Sequence, residues 1–244
     1  MARLQFWSRC CFKLFLSMKL YIVSTPIGNL KDITIRALET LSEVDFVLCE
    51  DTRVSSNLLN HYEIKKELIS FNAVNEKSKI DYVINRLLSN QTAALISDAG
   101  TPLVSDPGVR LVSSCIDNNI EVIPIPGASA VLSALSISGL STDSFVFEGF
   151  LPQKKGRQTK LKELALEERT IVIYESMYRI EKLLNEFNEF LPDRFIVVCR
   201  ELTKMFEETW RGFPGKLLTE FPNKVIKGEF VVVIAPAKWK VKNS

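Results

Sequence analysis

Histidine is almost missing from this chain of 244 residues: His61 is the only one. A Ser-His-Asp triad and a His-ligated metal centre are both disfavoured on that ground. Cysteine is sparse, with five residues at positions 10, 11, 49, 115 and 199, an odd number with no C-x-x-C spacing. Cys49, Cys115 and Cys199 stand in or beside apolar runs, where a thiol packs as a small hydrophobe. No apolar run reaches the roughly 18–20 residues needed to cross a bilayer. Charge of one sign is also lacking, since 31 Lys and Arg face 29 Asp and Glu. With 46% hydrophobic and 25% charged residues the composition is that of a globular protein, and disorder is not expected.

The small positive balance comes from the first seventeen residues. Arg3, Arg9 and Lys13 interrupt apolar residues there, no acid offsets them, and no cleavage site of a secretory signal follows. Subtracting those three charges from the net +2 leaves −1, so overall basicity does not argue for a nucleic-acid partner. Met18 precedes the first clean strand pattern. We expect translation to start there and residues 1–17 to be a non-native or disordered extension.

What is present is an alternation of short apolar runs with amphipathic stretches, the signature of an α/β fold. Strands are expected at Leu20–Ser24, Phe46–Cys49, Ala93–Ser97 and Glu121–Ile125. Helices are expected near Ile33–Leu41, Ser55–His61, Lys77–Ser89 and Gly108–Asn118, where apolar residues recur at close to 3.6. Beyond Pro126 the strand patterns crowd together, at Phe145–Phe150, Thr170–Glu175, Phe195–Arg200, Glu207–Arg211 and Glu229–Ala235. Helices intervene at Ala128–Ser138, Arg157–Glu168 and Arg179–Phe190. The expected architecture is a parallel-sheet domain over residues 18–126 and a mixed-sheet domain over residues 127–244.

In an open parallel sheet, ligands bind beyond the carboxyl ends of the strands. Four segments should meet there: Thr25-Pro26-Ile27-Gly28-Asn29, Glu50-Asp51-Thr52-Arg53, Asp98-Ala99-Gly100-Thr101-Pro102 and Pro126-Gly127-Ala128-Ser129-Ala130. Any one of them, taken alone, reads first as a tight turn made by Gly and Pro. Four on one edge, two carrying Asp, favour a site where backbone amides approach a ligand closely. Neither a phosphate-cradling G-x-x-x-x-G-K-[ST] loop nor a G-x-G-x-x-G after the first strand is present.

These segments carry a resemblance. Ser24 to Leu30, Glu50 to Arg53, Ser97 to Pro102, Ser105-Asp106-Pro107-Gly108 and Pro126-Gly127 resemble the tetrapyrrole methylase family, within it the methyltransferases of small-subunit ribosomal RNA. Phe147 to Pro152, Tyr174-Glu175-Ser176, Arg200 to Lys204 and Gly228-Glu229-Phe230 extend it to about Ala237. The resemblance implies a two-domain fold with S-adenosylmethionine in the cleft between domains. It also implies a homodimer in the cytoplasm and 2′-O-methylation of a decoding-centre cytidine in 16S rRNA of the small subunit. Its implied cofactor contacts are Pro26, Asp98, Ala99, Gly100, Thr101, Val104, Ser129, Ala130, Tyr174, Glu175 and Gly212. Family members commonly carry Pro-His where this chain has Met177-Tyr178.

Methyl transfer from a sulfonium is an in-line displacement that needs neither metal nor covalent intermediate. Orientation alone can supply on the order of 7–11 kcal/mol, and a base or cation would help the poorly acidic ribose hydroxyl. Catalytic candidates are Asp51, Arg53, Glu201 and Lys204, with Glu175 and Arg179 as further candidates. Arg53 and Lys204 could equally bind phosphate, and Glu201 could simply pair with Lys204. The basic run Lys154, Lys155 and Arg157, with Lys160 and Lys162, reads either as a grip on RNA phosphates or as a solvated helix face. Phe145, Phe147 and Phe150 are expected in the core. Two alternatives to rRNA methylation are a methyltransferase of small tetrapyrroles and a non-catalytic RNA-binding assembly factor.

Overall fold

The computed structural model describes residues 18–239, so the reading of residues 1–17 lies outside the described residues. The chain divides into two units, with residues 18–26 and Leu30–Ala128 in the first. The second holds residues 129–239 and the tripeptide Ile27–Asn29. The passage at Ala128–Ser129 falls two residues beyond the Pro126–Gly127 boundary suggested by pattern. No hydropathy signal marks the tripeptide's separate allegiance.

The first unit holds five parallel strands: β1 (Lys19–Val23), β2 (Phe46–Cys49), β3 (Glu67–Ser70), β4 (Thr92–Leu95) and β5 (Glu121–Ile125). They lie in the order β3-β2-β4-β1-β5. Helices α1 (Ile35–Glu43), α2 (Thr52–His61), α3 (Glu76–Leu88) and α4 (Val109–Asp117) connect them. Side chains of successive strand residues point to opposite faces, and the core separates accordingly. Val23, Val47, Cys49 and Ala94 pack with Ala37 and Leu41 of α1 and Leu59 of α2. Leu20, Phe46, Leu48 and Leu95 pack with Val83 and Leu87 of α3 and Leu111 and Cys115 of α4. The chain thus leaves β1 toward one face and β4, its neighbour, toward the other. That divergence is the topological switch point, where the two outgoing loops open a crevice at the carboxyl edge.

Helix starts follow local chemistry. The Thr34 hydroxyl accepts from the Ala37 amide (3.1 Å) to cap α1, and the Asp51 carboxylate accepts from the Arg53 amide (2.8 Å) to cap α2. Strand β3 escaped the pattern reading because it is an edge strand of four residues with one buried side chain, Ile69.

The second unit carries a mixed sheet of β6 (Phe145–Phe150), β7 (Thr170–Ser176), β8 (Ile196–Arg200), β9 (Glu208–Gly212) and β10 (Glu229–Ile234). The order is β6-β7-β10-β8-β9, with β6 parallel to β7 and every other pair antiparallel. Helices α6 (Arg157–Leu166), α7 (Ile180–Phe190) and α8 (Pro214–Glu220) supply Leu161, Leu183, Phe187 and Leu217 to a core with Ile171, Ile196, Trp210 and Val232. Helix α5 (Ala130–Ser138) packs against β10, and Arg211 of β9 donates to the Ile137 carbonyl at its end (2.6 Å). Helix α8 is short and begins at Pro214, a signal for a first helical turn that periodicity over seven residues could not register. No helix among the described residues is long and apolar enough to cross a membrane.

Candidate functional site

At the carboxyl edge of the first sheet, segments after β1, β2, β4 and β5 are joined by hydrogen bonds. Thr25 and Gly100 exchange backbone bonds, amide to carbonyl at 2.8 and 3.1 Å. The Ser24 and Thr101 hydroxyls lie 3.0 Å apart, and Thr101 Oγ1 donates to the Ala128 carbonyl at 3.2 Å. Asp98 Oδ1 accepts from the Asp51 amide at 3.2 Å. A Cβ at Gly127 would stand 2.9 Å from the Ser24 Cβ, so glycine alone lets these strands' exits approach so closely. The four segments singled out by sequence therefore converge as far as the first unit carries them. Asp98 and Ala99 are exposed on this rim, whereas Pro26 and Gly100 are buried beneath it. Val104 sits between Leu103 and Ser105, both in the left-handed region at φ 71° and 69°. Two such non-glycine residues in three are costly, on the order of 1–3 kcal/mol each, and strain of this kind gathers where a loop must hold one shape for function.

Three carboxyl groups gather on the same rim. Burial pushes Glu50 up to about 7, helped by the charges of Asp106 and Asp98. Burial pushes Asp106 up to about 6, with the Asp98 charge adding to it and a Ser97 hydrogen bond opposing it. Both residues lie in motifs quoted from the sequence, yet composition could not reveal that they face each other and Asp98. Among the described residues no group of three His, Cys, Asp or Glu side chains is placed to hold a metal ion. An acidic rim with approachable backbone fits an organic cation bearing an ammonium and a sulfonium.

A raised carboxyl pKa means the folded state binds more protons than the unfolded one between about pH 4.5 and 7. Stability from this group is therefore lost as pH rises through that window. Glu50→Gln is expected to raise the melting temperature at pH 8 and leave it unchanged at pH 4. Melting curves that do not separate at pH 8 would remove the strained carboxyl from this account.

The remaining candidates divide. Asp51 binds Arg53 through two oxygens (Nη2 to Oδ2 2.6 Å, Nε to Oδ1 3.0 Å). Hydrogen bonds from the Arg53 side chain and amide hold it down to about 2. In the second unit, burial of Glu201 is outweighed by hydrogen bonds from Lys204 (2.9 Å) and the Glu229 amide (3.0 Å), and its pKa is lowered. Burial of Lys204 is outweighed by Glu229 (2.8 Å) and Glu201, and its pKa is raised. The Lys204 stem lies directly over Gly28, where any Cβ would collide with it. Asp51 and Glu201 are thus held in their charged forms, as are Arg53 and Lys204.

Ser129 caps α5, its hydroxyl accepting from the Leu132 amide at 3.5 Å, with Ala130 opening the helix. Tyr174 packs edge-on against Phe147 (4.9 Å between centroids) and lies 5.6 Å from Phe150. Gly212 closes β9. Glu175 is fully buried: its Oε1 accepts from the Ser176 amide and from Arg179 Nε, both at 2.8 Å. That places Glu175 and Arg179 in an ion pair.

Two expectations need correction. Arg157 is not part of an exposed basic run. It is 4% exposed, forks onto Glu186 at 2.6 and 2.8 Å and donates to the Pro152 carbonyl at 3.0 Å. The periodic burial of α6, which also buries Leu161 and Leu164, turns Arg157 inward. Lys160 is likewise engaged, by Glu148 at 2.8 Å. Lys154 and Lys155 stand exposed in the loop after β6. Phe145 and Phe150 are not core either, being 36% and 54% exposed, because they stand at the two ends of the outermost strand of the sheet.

A parallel unit with its switch-point rim, followed by a mixed-sheet unit, defines a two-unit α/β protein with a ligand-binding edge on its first sheet. The family model for tetrapyrrole (corrin/porphyrin) methylases matches residues 19–217, and the chain belongs to that family. S-adenosylmethionine is its methyl donor. Several curated relatives bear one name, ribosomal RNA small subunit methyltransferase I. The protein of that name from Synechocystis sp. is 49% identical over 89% of this chain and 79% of its own length. That from Thermotoga maritima is 47% identical over 89% of this chain and 98% of its own. Among solved structures, diphthine synthase superposes with a TM-score of 0.70 at 14% identity, covering 89% of each chain. The cobalt precorrin-4 methyltransferase superposes at 0.63 and 20% identity, covering 89% of this chain and 95% of that one. At such identities these two likenesses concern the fold.

Proposed function

We propose that the chain transfers a methyl group from S-adenosylmethionine to the ribose 2′-oxygen of a decoding-centre cytidine in 16S rRNA of the small ribosomal subunit. It would act in the cytoplasm as a homodimer. The observation that supports this most is the 47–49% identity, over about nine-tenths of the chain, to relatives named for small-subunit rRNA methylation.

The bound donor supplies a methyl group and a neutral thioether as leaving group. The chain's own residues do the rest. In the first unit, Asp98 with Ala99, Gly100, Thr101 and Val104 would hold the donor, with Pro26 bracing the adjoining turn. From the second unit, Ser129, Ala130, Tyr174 and Gly212 would contribute, while buried Glu175 acts through Arg179 and Ser176. Of the carboxyl groups on the rim, Glu50 is best matched to hold a proton near neutral pH. Arg53, largely exposed, is suited to a backbone phosphate.

The reading is tested by offering methyl-labelled donor with unmethylated small subunits or with a tetrapyrrole precursor. Label in RNA is expected. Label in the tetrapyrrole alone would move the chain to the other activity of its family, and donor binding without transfer to either would favour an assembly factor.

Lys154 and Lys155 supply the exposed positive charge expected of a phosphate contact. Reversing both to Glu is expected to raise the KM for small subunits and to reduce the log–log salt slope of RNA binding by about 1.4–1.8, two contacts' worth. Cofactor affinity by calorimetry should not move. An unchanged salt slope would make the two lysines plain surface.

A further inference from the structure

The register of the second sheet brings four connections to one edge. Glu229 pairs with Ser176, Phe230 with Arg200 and Arg200 with Glu208, while β6 runs parallel to β7 with Phe150 beside Tyr174. The ends of β6, β7 and β8 and the start of β10 therefore share that edge, as do the segments joining them to the next elements. Three of them present exposed aromatic rings: Phe150, which also lies against Tyr174, is 54% exposed, Tyr178 84% and Phe206 67%. The side chains of Tyr178 and Phe206 make no ring contact and no hydrogen bond among the described residues. Phe145 and Phe213, the unit's other exposed aromatics, belong to the opposite edge, at the start of β6 and just past β9.

Positive charge accompanies these rings. Lys154, Lys155 and Lys227 are exposed on the same connections and take no ion pair among the described residues. The acids of this edge are largely answered from within: Glu201 and Glu229 by Lys204, Glu208 by Lys224. Glu207 accepts from the Thr203 amide at 2.6 Å. The turn carrying Tyr178 and the loop carrying Phe206 follow strands two positions apart, about 10 Å across the sheet.

Bare rings flanked by uncompensated lysines complement a single strand of nucleic acid, whose bases have π-faces and whose backbone is anionic. We propose that this edge of the second sheet is a nucleobase-stacking platform, on which Tyr178 and Phe206 take unpaired RNA bases while Lys154, Lys155 and Lys227 hold the phosphates. This deepens the rRNA reading and rests on it for the source of the strand. It assigns recognition to residues that are not among the proposed donor contacts, by stacking rather than by base-edge readout. A platform of this kind selects unpaired RNA over duplex and tolerates sequence.

The test is filter binding of a single-stranded oligouridylate by the full chain at low salt, with small-subunit methylation measured alongside. Tyr178→Ala and Phe206→Ala are each expected to weaken oligouridylate binding roughly 5- to 150-fold. Tyr178→Phe and Phe206→Tyr keep the rings and should keep wild-type affinity. Both alanine variants should melt with the wild type, because neither side chain packs in the core. Failure of the wild type to bind, or equal binding by the alanine variants, overturns the platform. So does an alanine variant that changes only the sedimenting mass, which would mark a self-association surface. Loss of oligouridylate binding in the alanine variants, with no methylation of subunits by the wild type, would uphold the platform and sink the proposed reaction instead.

Discussion

Asp98→Ala is expected to weaken S-adenosylmethionine binding roughly 10- to 150-fold, the effect of losing a hydrogen bond to a charged group. Asp98 lies where the exits of β4 and β2 are tied together, its Oδ1 accepting from the Asp51 amide at 3.2 Å. Alanine removes that tie and a negative charge from a rim that is to hold a cation. Asp98→Asn keeps an acceptor for the Asp51 amide while removing the charge, so its Kd should fall between wild type and alanine. The asparagine variant has a second signature. The Asp98 charge raises the pKa of both Glu50 and Asp106. Its loss should move any pH profile those groups govern to lower pH. Calorimetry showing wild-type donor affinity for Asp98→Ala would remove the carboxylate from the binding site.

Arg157→Ala is expected to lower stability by about 3–5 kcal/mol, because it strands a buried charge. For a chain of this length that is a drop of roughly 6–20 °C in melting temperature. Its guanidinium reaches Glu186 at 2.6 Å and stands 3.8 Å from the fully buried Glu175, whose Oε2 has no hydrogen-bond partner. Removing the cation leaves that oxygen in low-dielectric surroundings, with Arg179 at the other carboxylate oxygen as the remaining cation, and takes from Glu186 its closest partner. Lys154→Ala and Lys155→Ala, three and two residues earlier, should leave the melting temperature in place, because their charges stay in water. Equal melting temperatures for all three would show that Arg157 reaches solvent after all.

That contrast marks the limit of what was legible in the sequence. Lys154, Lys155 and Arg157 are chemically alike on the page, and only the inward face of α6 separates them. The strands that bury one or both faces, such as β2 and β8, stood out as apolar runs. The edge strand β3 did not, because a strand with a single buried residue has no pattern to show. The loops of the first sheet were legible because a parallel sheet forces its carboxyl-end connections together. The coupling of Glu50 with Asp106 was not, since it depends on how the segment between Asp98 and Gly108 folds back, through left-handed Leu103 and Ser105. Phe150 misled for a related reason: alternation marks a strand, but only the strand order shows that β6 is outermost and that its last ring is left half exposed.

The central claim is chemical, a methyl group placed on a ribose oxygen of small-subunit RNA, and it is tested most directly by alkaline hydrolysis of the labelled product. Base-catalysed cleavage of RNA needs a free 2′-hydroxyl, so a methyl on that oxygen protects the adjoining phosphodiester. After reaction with labelled donor and unmethylated small subunits, the label should survive alkali in one dinucleotide whose first residue is a 2′-O-methylcytidine of the decoding centre. Label released in a mononucleotide would place the methyl on a base and contradict the account.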